Sequence, residues 1–569
     1  MENYRYLLED EILRVTAKLR AQGRDKLAQL FANCYANTFE TTTRRMDDGT
    51  LFLVTGDIHA MWLRDSAAQV HQYLPLCAKN SAVADMVEGL IRRQVMYYRI
   101  DAFANGFNEE PNGAGHTDDR PRQNLWVFER KYEIDSPCYM IQLAYLFWKA
   151  TGRTSYLNEF FFSAGSRMVE IFKREQNHNA ENSYYRFFRD NCPESDTLTN
   201  NGLGAPVAYT GMTWSGFRPS DDACKYGYLI PANLFAVVAL RQLAELCDVM
   251  NVYQEKIKAP ALKLADEIEA GVKKYGIVDH PEFGRIYAYE TDGMGNYVFM
   301  DDANVPSLLA LPYMGCCAAD DEVYLNTRRF VLSKANPYYW EGTAIRGLGS
   351  PHTPDGYVWH IGLALQGLTA TDPAERKAIL NMMADSDGGT GYMHEGVCAD
   401  DPTVYTRPWF AWANSIFSEL VLKDLEEDEK AEAAKGNQKL PGCGFHHLAL
   451  RASDFDRSYR FYTEVLGFRR RTGWGEGEKR VALLNFGDGG LLELFGAGVK
   501  DAPQGCYWHA ALKVDDVDAA FETAVAAGAG VHQPPKDALL GNPGEEQIPV
   551  RLAFIKGFDG ELLEFFHEK

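Results

Sequence analysis

A polar loop followed by a long apolar segment organises this chain: Trp214-Ser215-Gly216-Phe217-Arg218-Pro219-Ser220-Asp221-Asp222-Ala223 precedes the stretch from Pro231 to Met250. The loop sets two adjacent carboxylates beside an arginine. Like charges raise each other's pKa, which a carboxyl proton donor needs near neutral pH. In the alternative interpretation, Ser220 or Asp221 caps a helix and the acids complement its dipole. The loop alone leaves both interpretations open.

Helical periodicity extends outward from this loop in both directions. Apolar residues recur at helical spacing from Leu7 to Phe39, Met86 to Tyr98, Tyr139 to Ala150, Pro231 to Met250 and Ala261 to Tyr275. Further helices are predicted at Ser307–Met314, Leu325–Lys334, Gly356–Leu368 and Trp409–Leu422. Paired helices with polar loops at one end predict an α/α barrel. We find no fixed repeat period, so a solenoid is disfavoured.

Composition narrows the class of protein. The chain has 569 residues, 46% of them hydrophobic and 24% charged, as in soluble globular proteins. Its formal net charge of -21 argues against nucleic acid and membrane surfaces as partners. We expect no signal region at the N-terminus and no transmembrane segment. The 11 cysteines form no CxxC pair, which predicts reduced thiols and a cytoplasmic location.

A change in composition divides the chain. The run from Asp424 to Asn437 is strongly charged and has little to bury, which indicates a helix tail followed by a linker. We therefore predict a large helical domain at residues 1–423, a charged linker at 424–441 and a small domain at 442–569. The small domain shows alternating strands and two helices, so it is predicted to be α+β.

Polar and aromatic side chains concentrate in four loops of the large domain. These loops are 56–66, 106–113, 301–304 and 391–396. Aromatic faces cover the C–H surfaces of sugars, while Asp, Asn, Arg and His bind the hydroxyls. Each loop alone is weak evidence, because Asp and Asn also build turns and Trp also fills cores. Together on a helical scaffold they predict a carbohydrate site.

Three of these motifs carry a family resemblance. Thr55-Gly56-Asp57-Ile58-His59-Ala60-Met61-Trp62-Leu63-Arg64-Asp65, then Gly216-Phe217-Arg218-Pro219-Ser220-Asp221-Asp222, then Gly391-Tyr392-Met393-His394-Glu395-Gly396, resemble glycoside hydrolase family 125, the exo-α-1,6-mannosidases. The likeness covers nearly all of the first 423 residues. It implies an (α/α)6 barrel that needs no metal or other cofactor, acts on an α-mannoside oligosaccharide and inverts the anomeric centre.

The resemblance also implies the catalytic pair. We assign Asp222 as general acid, with Asp221 as the alternative, and Glu395 as general base. Inversion requires the two carboxyls to lie roughly 6.5–9.5 Å apart. Asp221 at close range would help to keep Asp222 protonated, and Arg218 would oppose this unless it binds substrate or pairs with Asp221. The other interpretation of Glu395, a solvated loop acid, is disfavoured within this motif.

Further residues are predicted to contact the sugar. His352 has an alternative role as a loop histidine with a structural hydrogen bond, and Arg64 and Asp65 have one as an ion pair that holds their loop. The complete predicted set is Asp57, His59, Arg64, Asp65, Trp214, Arg218, Asp302, Asn304 and His352.

The small domain contains an internal repeat with potential metal ligands. His447-Leu448-Ala449-Leu450 is echoed by His509-Ala510-Ala511-Leu512, and 486–495 is echoed by 558–566. Strand alternation places His447, Glu493, His509 and Glu564 opposite the neighbouring apolar residues. Two imidazoles and two carboxylates suit Ni, Co, Zn, Fe or Mn.

This repeat resembles the vicinal oxygen chelate superfamily, which includes glyoxalase I and the bleomycin-resistance proteins. The segment 453–468 is similar to the first helix of that superfamily. The resemblance implies paired βαβββ modules that hold His447, Glu493, His509 and Glu564 around one divalent metal in a cupped sheet. Members without metal use the same fold to bind small molecules, so an empty cup is the alternative.

The sequence thus predicts a metal-independent inverting exo-α-1,6-mannosidase with an appended metal-binding module. One alternative keeps the barrel but changes the sugar. Another makes the large domain a sugar-binding module without turnover. The small domain is predicted to be a metal-dependent lyase, isomerase or epimerase, or else a ligand-binding or homodimerisation module.

Overall fold

The computed structural model describes residues 2–434, 440, 443–487, 489–499, 507–556 and 562–569. Its internal contacts define two units, Met1–Leu425 and Glu426–Lys569. The first unit is a helical body. Its helices are Glu9–Ala21 (α1), Asp25–Asn37 (α2), Leu63–His71 (α3), Leu74–Cys77 (α4), Ser81–Ile100 (α5), Asp135–Thr151 (α6), Glu159–Glu175 (α7), Thr199–Gly202 (α8), Ile230–Met250 (α9), Ala259–Tyr275 (α10), Glu322–Val331 (α11), His360–Leu368 (α12), Pro373–Asp385 (α13) and Ala411–Ala434 (α14).

The helices pack mainly as sequential pairs. Helix α1 packs on α2, α9 on α10 and α12 on α13, while α6 contacts both α3 and α9. Local signals fix several ends: Asn80 and Asn158 accept backbone N–H groups at the starts of α5 and α7, and Asn251 ends α9 in the left-handed region. The expected helical character of the large domain is confirmed.

The strands of the helical body are short and lie between the helices. They are Thr43–Arg45 (β1), Leu51–Leu53 (β2), Met61–Trp62 (β3), Gly106–Phe107 (β4), Val127–Glu129 (β5), Tyr228–Leu229 (β6), Ile277–His280 (β7), Gly284–Tyr287 (β8), Glu290–Thr291 (β9), Tyr297–Val298 (β10), Tyr339–Glu341 (β11), Arg346–Leu348 (β12), Tyr357–Trp359 (β13) and Gly396–Cys398 (β14). Several of them, β3, β6 and β13, lead directly into α3, α9 and α12.

Two predicted helices differ from the structure. The segment Ser307–Met314 forms turns instead of a helix, because the buried carboxylate of Asp301 accepts the backbone N–H groups of Leu308 and Leu309. The segment Gly356–Leu368 begins as strand β13 and becomes helical only at His360. In both places, tertiary contacts override the local helical spacing.

The last helix continues into the predicted linker. Helix α14 runs to Ala434, beyond the end of the first unit at Leu425, and carries Asp424, whose side chain is fully buried. Its carboxylate lies 2.7 Å from the Arg24 guanidinium and 3.1 Å from Nε of Arg376. These partners explain why a charged residue at this position belongs to the packed body.

One helix of the body has the length and the apolar composition of a membrane span. By length and composition, α9 is apolar enough to cross a membrane, and 78% of its most apolar window is buried inside the protein. Core helices of folded domains pass the same test, since a helix that is apolar on all sides is also what a large core requires.

The second unit is built on one eight-stranded sheet. Its strands are Gly444–Arg451 (β15), Arg469–Trp474 (β16), Val481–Asn485 (β17), Leu491–Phe495 (β18), Tyr507–Lys513 (β19), Gly530–Leu540 (β20), Ile548–Lys556 (β21) and Leu562–Glu568 (β22), and its helices are Phe455–Arg460 (α15) and Val517–Ala526 (α16). The strand order is β16-β17-β18-β15-β19-β22-β21-β20. Each half runs strand, helix and three strands, so the two βαβββ modules predicted from the sequence are present.

Strand pairing sets the positions of the four predicted ligands. Strands β15 and β19 pair antiparallel at the centre of the sheet, while β18 and β22 run parallel to them on either side. Each of these four inner strands supplies one residue of the set His447, Glu493, His509 and Glu564.

Candidate functional sites

A cleft lies among the polar loops of the helical body. Its walls combine aromatic rings with ionisable and amide groups. The lining includes Ile58, Trp62, Arg64, Asp65, Ser220, Asp221, Asn304, His352, Trp359, Glu395, Arg407, Phe410 and Trp412. Such a mixture of flat apolar faces and convergent polar groups is suited to a sugar ring.

Glu395 is held at one wall of the cleft by the strand that follows it. Gly396 begins β14 and pairs with Trp359 of β13. The carboxylate of Glu395 accepts a hydrogen bond from the Thr406 hydroxyl at 3.0 Å and lies 3.5 Å from the Arg407 guanidinium. Glu395 is therefore a fixed, partnered carboxylate in the cleft, and its interpretation as a solvated loop acid is excluded.

In the motif at residues 55–65, the backbone at Gly56 passes close to the backbone at Trp409. Gly56 has φ 146°, and a Cβ atom there would lie 2.1 Å from the carbonyl oxygen of Trp409, so glycine is required. This approach brings the next residue, Asp57, to 2.5 Å from the Arg407 guanidinium. Asp57 thus orients the arginine that lies beside Glu395.

Arg64 is the centre of a buried network of acids. Its guanidinium lies 2.6 Å from Glu133, 3.2 Å from Asp135 and 3.6 Å from both Asp65 and Asp221. Burial opposes the charge on Arg64, but Glu133 and Asp135 outweigh it and raise its pKa. Burial raises the pKa of Asp65 to about 6, and it also raises the pKa of Glu133. Burial therefore favours the protonated forms of Asp65 and Glu133, although both carboxyls lie beside the charge of Arg64.

Asp221 belongs to this network. It occupies the left-handed region at φ 66°, and its carboxylate accepts a hydrogen bond from the Asn105 amide at 3.2 Å. Burial alone would raise the pKa of Asp221, but Lys131 and then Arg64 outweigh it and lower the pKa below its ordinary value. Asp221 is consequently an ionised carboxylate near neutral pH.

Asp222 points into a different environment. Its Oδ2 accepts a hydrogen bond from the Ser220 hydroxyl at 2.9 Å and lies 4.0 Å from Nδ1 of His352. Both of these neighbours line the cleft. Asp302 is fully buried nearby, and burial, together with the charge of Asp222, raises its pKa. The two adjacent acids therefore have separate partners and separate electrostatic settings.

The structure brings only some of the predicted sugar contacts into the cleft. Arg64, Asp65, Asn304 and His352 line it. Asp57 and His59 lie outside this lining. His59 is largely exposed, and its Nε2 atom lies 3.2 Å from the carboxylate of Glu109. Buried Asp302 instead accepts the backbone N–H of Asn304, which fixes that cleft residue from behind.

Two predicted contacts are corrected. Trp214 is only 1% exposed, and its ring stacks on His178 at 3.6 Å between centroids, so it belongs to the core. Arg218 lies 2.5 Å from the buried carboxylate of Glu290 instead of pairing with Asp221. Glu290 lies on β9, beside the β6 strand that leads into α9, so Arg218 attaches the loop at residues 214–223 to this small sheet.

Sequence reasoning missed the rest of the cleft wall. Trp359, Phe410 and Trp412 supply aromatic faces, and Arg407 supplies the cation beside Glu395. The three aromatic residues lie at or next to the start of α12 or α14, both of which were predicted from periodicity, and Arg407 lies four residues before α14. The available signal was therefore an aromatic residue at the beginning of a predicted helix, a pattern shared with Trp62 before α3.

The small domain holds a second polar cluster. The side chains of His447, Glu493, His509 and Glu564 are 1–7% exposed, and one ligand atom from each lies within 4.8 Å of all the others. Nε2 of His447 is 3.1 Å from Glu493, from Glu564 and from Nε2 of His509. The predicted ligands thus converge on one point.

This geometry fits a metal ion. Ligand atoms bonded to one ion at about 2.1 Å lie roughly 3–3.5 Å from each other, depending on the bond angle. Nε2 of His447 is 3.1 Å from both carboxylates, and Nε2 of His509 is 3.1 Å from Glu564 and 3.6 Å from Glu493. Two imidazoles and two carboxylates form an N/O donor set for a borderline divalent ion. Burial opposes protonation of His447, but Glu493 and Glu564 outweigh it and raise its pKa to about 9, so these acids attract positive charge to this point.

Comparisons with known proteins give a family match for each of the two domains. A cleft that joins aromatic faces to partnered carboxyls defines the helical body as a carbohydrate-active domain. Residues 24–422 match the model of the metal-independent α-mannosidases, GH125. The chain belongs to this family of glycoside hydrolases, which confirms the resemblance seen in its motifs.

Two relatives extend over most of the helical body. A metal-independent α-mannosidase structure from Streptococcus pneumoniae, in a non-productive complex with α-1,6-mannobiose, is 46% identical; the match covers 75% of this chain and all of that one, with a TM-score of 0.73. The meiotically up-regulated gene 157 protein of Schizosaccharomyces pombe is 38% identical over 423 residues, covering 71% of this chain and 83% of the relative.

The small domain has relatives of its own. Residues 444–544 match the model of the glyoxalase, bleomycin resistance protein and dioxygenase superfamily. A probable lactoylglutathione lyase of Vibrio cholerae is 35% identical over 130 residues, which cover 22% of this chain and 89% of that protein. The predicted superfamily resemblance is thereby confirmed.

Proposed function

We propose that the helical body is an (α/α)6 exo-α-1,6-mannosidase that inverts the anomeric centre. The observation that carries this proposal is the cleft itself, in which Glu395 lies fixed among aromatic rings and Asp222 approaches through Ser220 and His352. The streptococcal relative bound to α-1,6-mannobiose supports this linkage. Glu395 activates a water on one face of the sugar while Asp222 protonates the leaving oxygen on the other.

The two acids are separated by their surroundings. A general acid must hold a proton before the reaction begins. Asp221 is kept ionised by Lys131 and Arg64, so it is suited to accept hydrogen bonds from a sugar hydroxyl. Among the described residues, the only basic side chain within 4.0 Å of the Asp222 carboxylate is that of His352, and no lysine or arginine holds it as an anion. We therefore assign proton donation to Asp222.

Leaving-group dependence tests this assignment. Asp222→Asn should abolish hydrolysis of α-1,6-mannobiose but preserve that of a dinitrophenyl α-mannoside, whose leaving group needs no proton. Asp221→Asn is the matched variant and should impair both substrates equally. If the two variants exchange these behaviours, Asp221 is the acid. Proton NMR of the first sugar released tests inversion, and α-mannose as the initial product would reject it.

We propose a separate, metal-dependent activity for the small domain, of the lyase or isomerase type. His447, Glu493, His509 and Glu564 would hold the ion, which would supply Lewis-acid stabilisation of an oxygen anion on the substrate. The similarity to lactoylglutathione lyases supports this class. The test is conversion of the hemithioacetal of methylglyoxal and glutathione with each divalent metal. Metal binding without turnover would support the ligand-binding alternative instead.

A further inference from the structure

His446 stands next to a metal ligand without belonging to the ligand set. Along β15, Phe445 pairs with Leu512 and His447 pairs with Ala511, so His446 is an extra residue in a β-bulge. In a regular strand, neighbouring side chains point to opposite faces. The bulge instead allows the two imidazoles to meet, with their Nδ1 atoms 2.7 Å apart.

Hydrogen bonds continue from His446 to the edge of the domain. Its Nε2 lies 3.0 Å from Glu568 on β22, and its side chain is only 8% exposed. Arg471 on β16 grips both oxygens of Glu568, at 2.9 and 2.8 Å. A continuous path therefore joins the ligand His447 to an arginine through one imidazole and one carboxylate.

Only one arrangement of protons satisfies this path when a metal is bound. Nε2 of His447 faces the other three ligands, so its lone pair binds the ion and its proton lies on Nδ1. That proton is donated to Nδ1 of His446, which leaves the His446 proton on Nε2. Nε2 then donates to Glu568, whose charge is balanced by Arg471. Each donor meets an acceptor.

We propose that His446, with Glu568 and Arg471, is a positioning relay that fixes the metal-binding tautomer and ring orientation of His447. Ligating histidines commonly donate their second N–H directly to a carboxylate or carbonyl. In this chain a second imidazole is inserted between ligand and carboxylate. The inference rests on the proposed metal site and extends it to three residues that bind no ion.

The competing explanation is packing. The ring of His446 lies 4.2 Å from that of Phe566, and an aromatic side chain could be retained for this contact alone. His446→Phe separates the two roles, because it keeps an aromatic ring and removes both hydrogen bonds. Arg470→Ala is the matched control for Arg471→Ala. Both arginines lie on β16 and form an ion pair with the hairpin between β20 and β21, Arg470 with Glu545 and Arg471 with Glu546. Of the two, Arg471 is the one that pairs with Glu568.

The experiment measures Co²⁺ and Zn²⁺ affinity of the full-length protein by competition with a chromophoric chelator. We expect His446→Phe and Glu568→Gln to weaken binding by about 10–100-fold, Arg471→Ala to weaken it less, and Arg470→Ala to leave it unchanged. The melting temperature of the metal-free protein monitors folding. Affinity within threefold of wild type in folded His446→Phe would overturn the relay alone, whereas a wild-type protein that binds no metal would overturn the site as well.

Discussion

The two sites of this protein bury acidic side chains in opposite ways. In the helical body, Arg64 faces Glu133 and Asp135, and Arg407 approaches Glu395. In the small domain, the ion pairs described for Glu493 and Glu564 go only to His447 and His509. The first site contains its own permanent cations, while the second gathers acids around groups that are neutral when unprotonated.

The contrast gives a physical reason why the first site would need no metal and why the second would hold the proposed ion. Buried carboxylates are costly unless a positive charge or several hydrogen bonds compensate them. Arginine supplies a charge that no ordinary pH removes. Histidine supplies a charge only when protonated, so a divalent ion is the stable partner for two acids and two imidazoles.

We expect the largest effect on the rate of α-mannoside hydrolysis, which should depend on Glu395 and not on a metal ion. Glu395→Gln should lower kcat for α-mannoside hydrolysis by about 10²–10⁴-fold, because the base that activates water is lost. The same rate in wild-type protein should not change when a chelator is added. Glu282→Gln, at an exposed turn, is the control and should keep full activity. Chelator-sensitive hydrolysis would erase the distinction between the sites.

Removing the internal cation should destabilise the helical body. Arg64→Met leaves buried Glu133 and Asp135 without their partner, so we expect a loss of about 3–5 kcal/mol in the free energy of unfolding. Arg44→Met is the matched surface variant: Arg44 pairs with Glu109 but is 53% exposed, so the loss should stay below about 1 kcal/mol. Equal losses in urea unfolding would contradict the buried role of Arg64.

Asp65 predicts a pH dependence with a definite sign. Its folded pKa of about 6 lies above the ordinary 3.8, so the folded state binds this proton more tightly than the unfolded state. The contribution of Asp65 to stability is therefore present below about pH 4 and is lost as pH rises to about 6. Asp65→Asn removes this dependence, so its stability relative to wild type should rise by about 2 kcal/mol between pH 4 and pH 7. Parallel stability curves would exclude this ionisation.

In the small domain, loss of one acid should weaken metal binding and leave the helical body unaffected. Glu493→Gln should weaken divalent metal binding by at least about 100-fold, since ligand replacement exceeds the effect of outer hydrogen bonds, and it should leave α-mannosidase activity unchanged. Metal content after dialysis measures the first effect. Glu545→Gln, on the β20–β21 hairpin, is the matched control with normal metal content. Retained metal in Glu493→Gln would remove this residue from the ligand set.

Much of the organisation was available from the sequence because it rests on local patterns. Helical spacing located α9 and α10, and strand alternation placed His447 and Glu493 on the face that carries the cluster of two histidines and two glutamates. The order of three motifs indicated the mannosidase family, which the match over residues 24–422 confirms. These features depend on the pattern of residues close together in the sequence or on motifs that are each one continuous segment.

Long-range packing decided the rest. Trp214 and Trp359 are both almost fully buried, yet Trp214 stacks on His178 and Trp359 lines the cleft. Asp221 and Asp222 are adjacent, and Lys131 and Arg64, which the fold brings close to Asp221, are the main charges that lower its pKa. The sequence thus determined which residue types each site would use, whereas tertiary contacts assigned their charges, because a pKa depends on burial and on charges that lie far away along the chain.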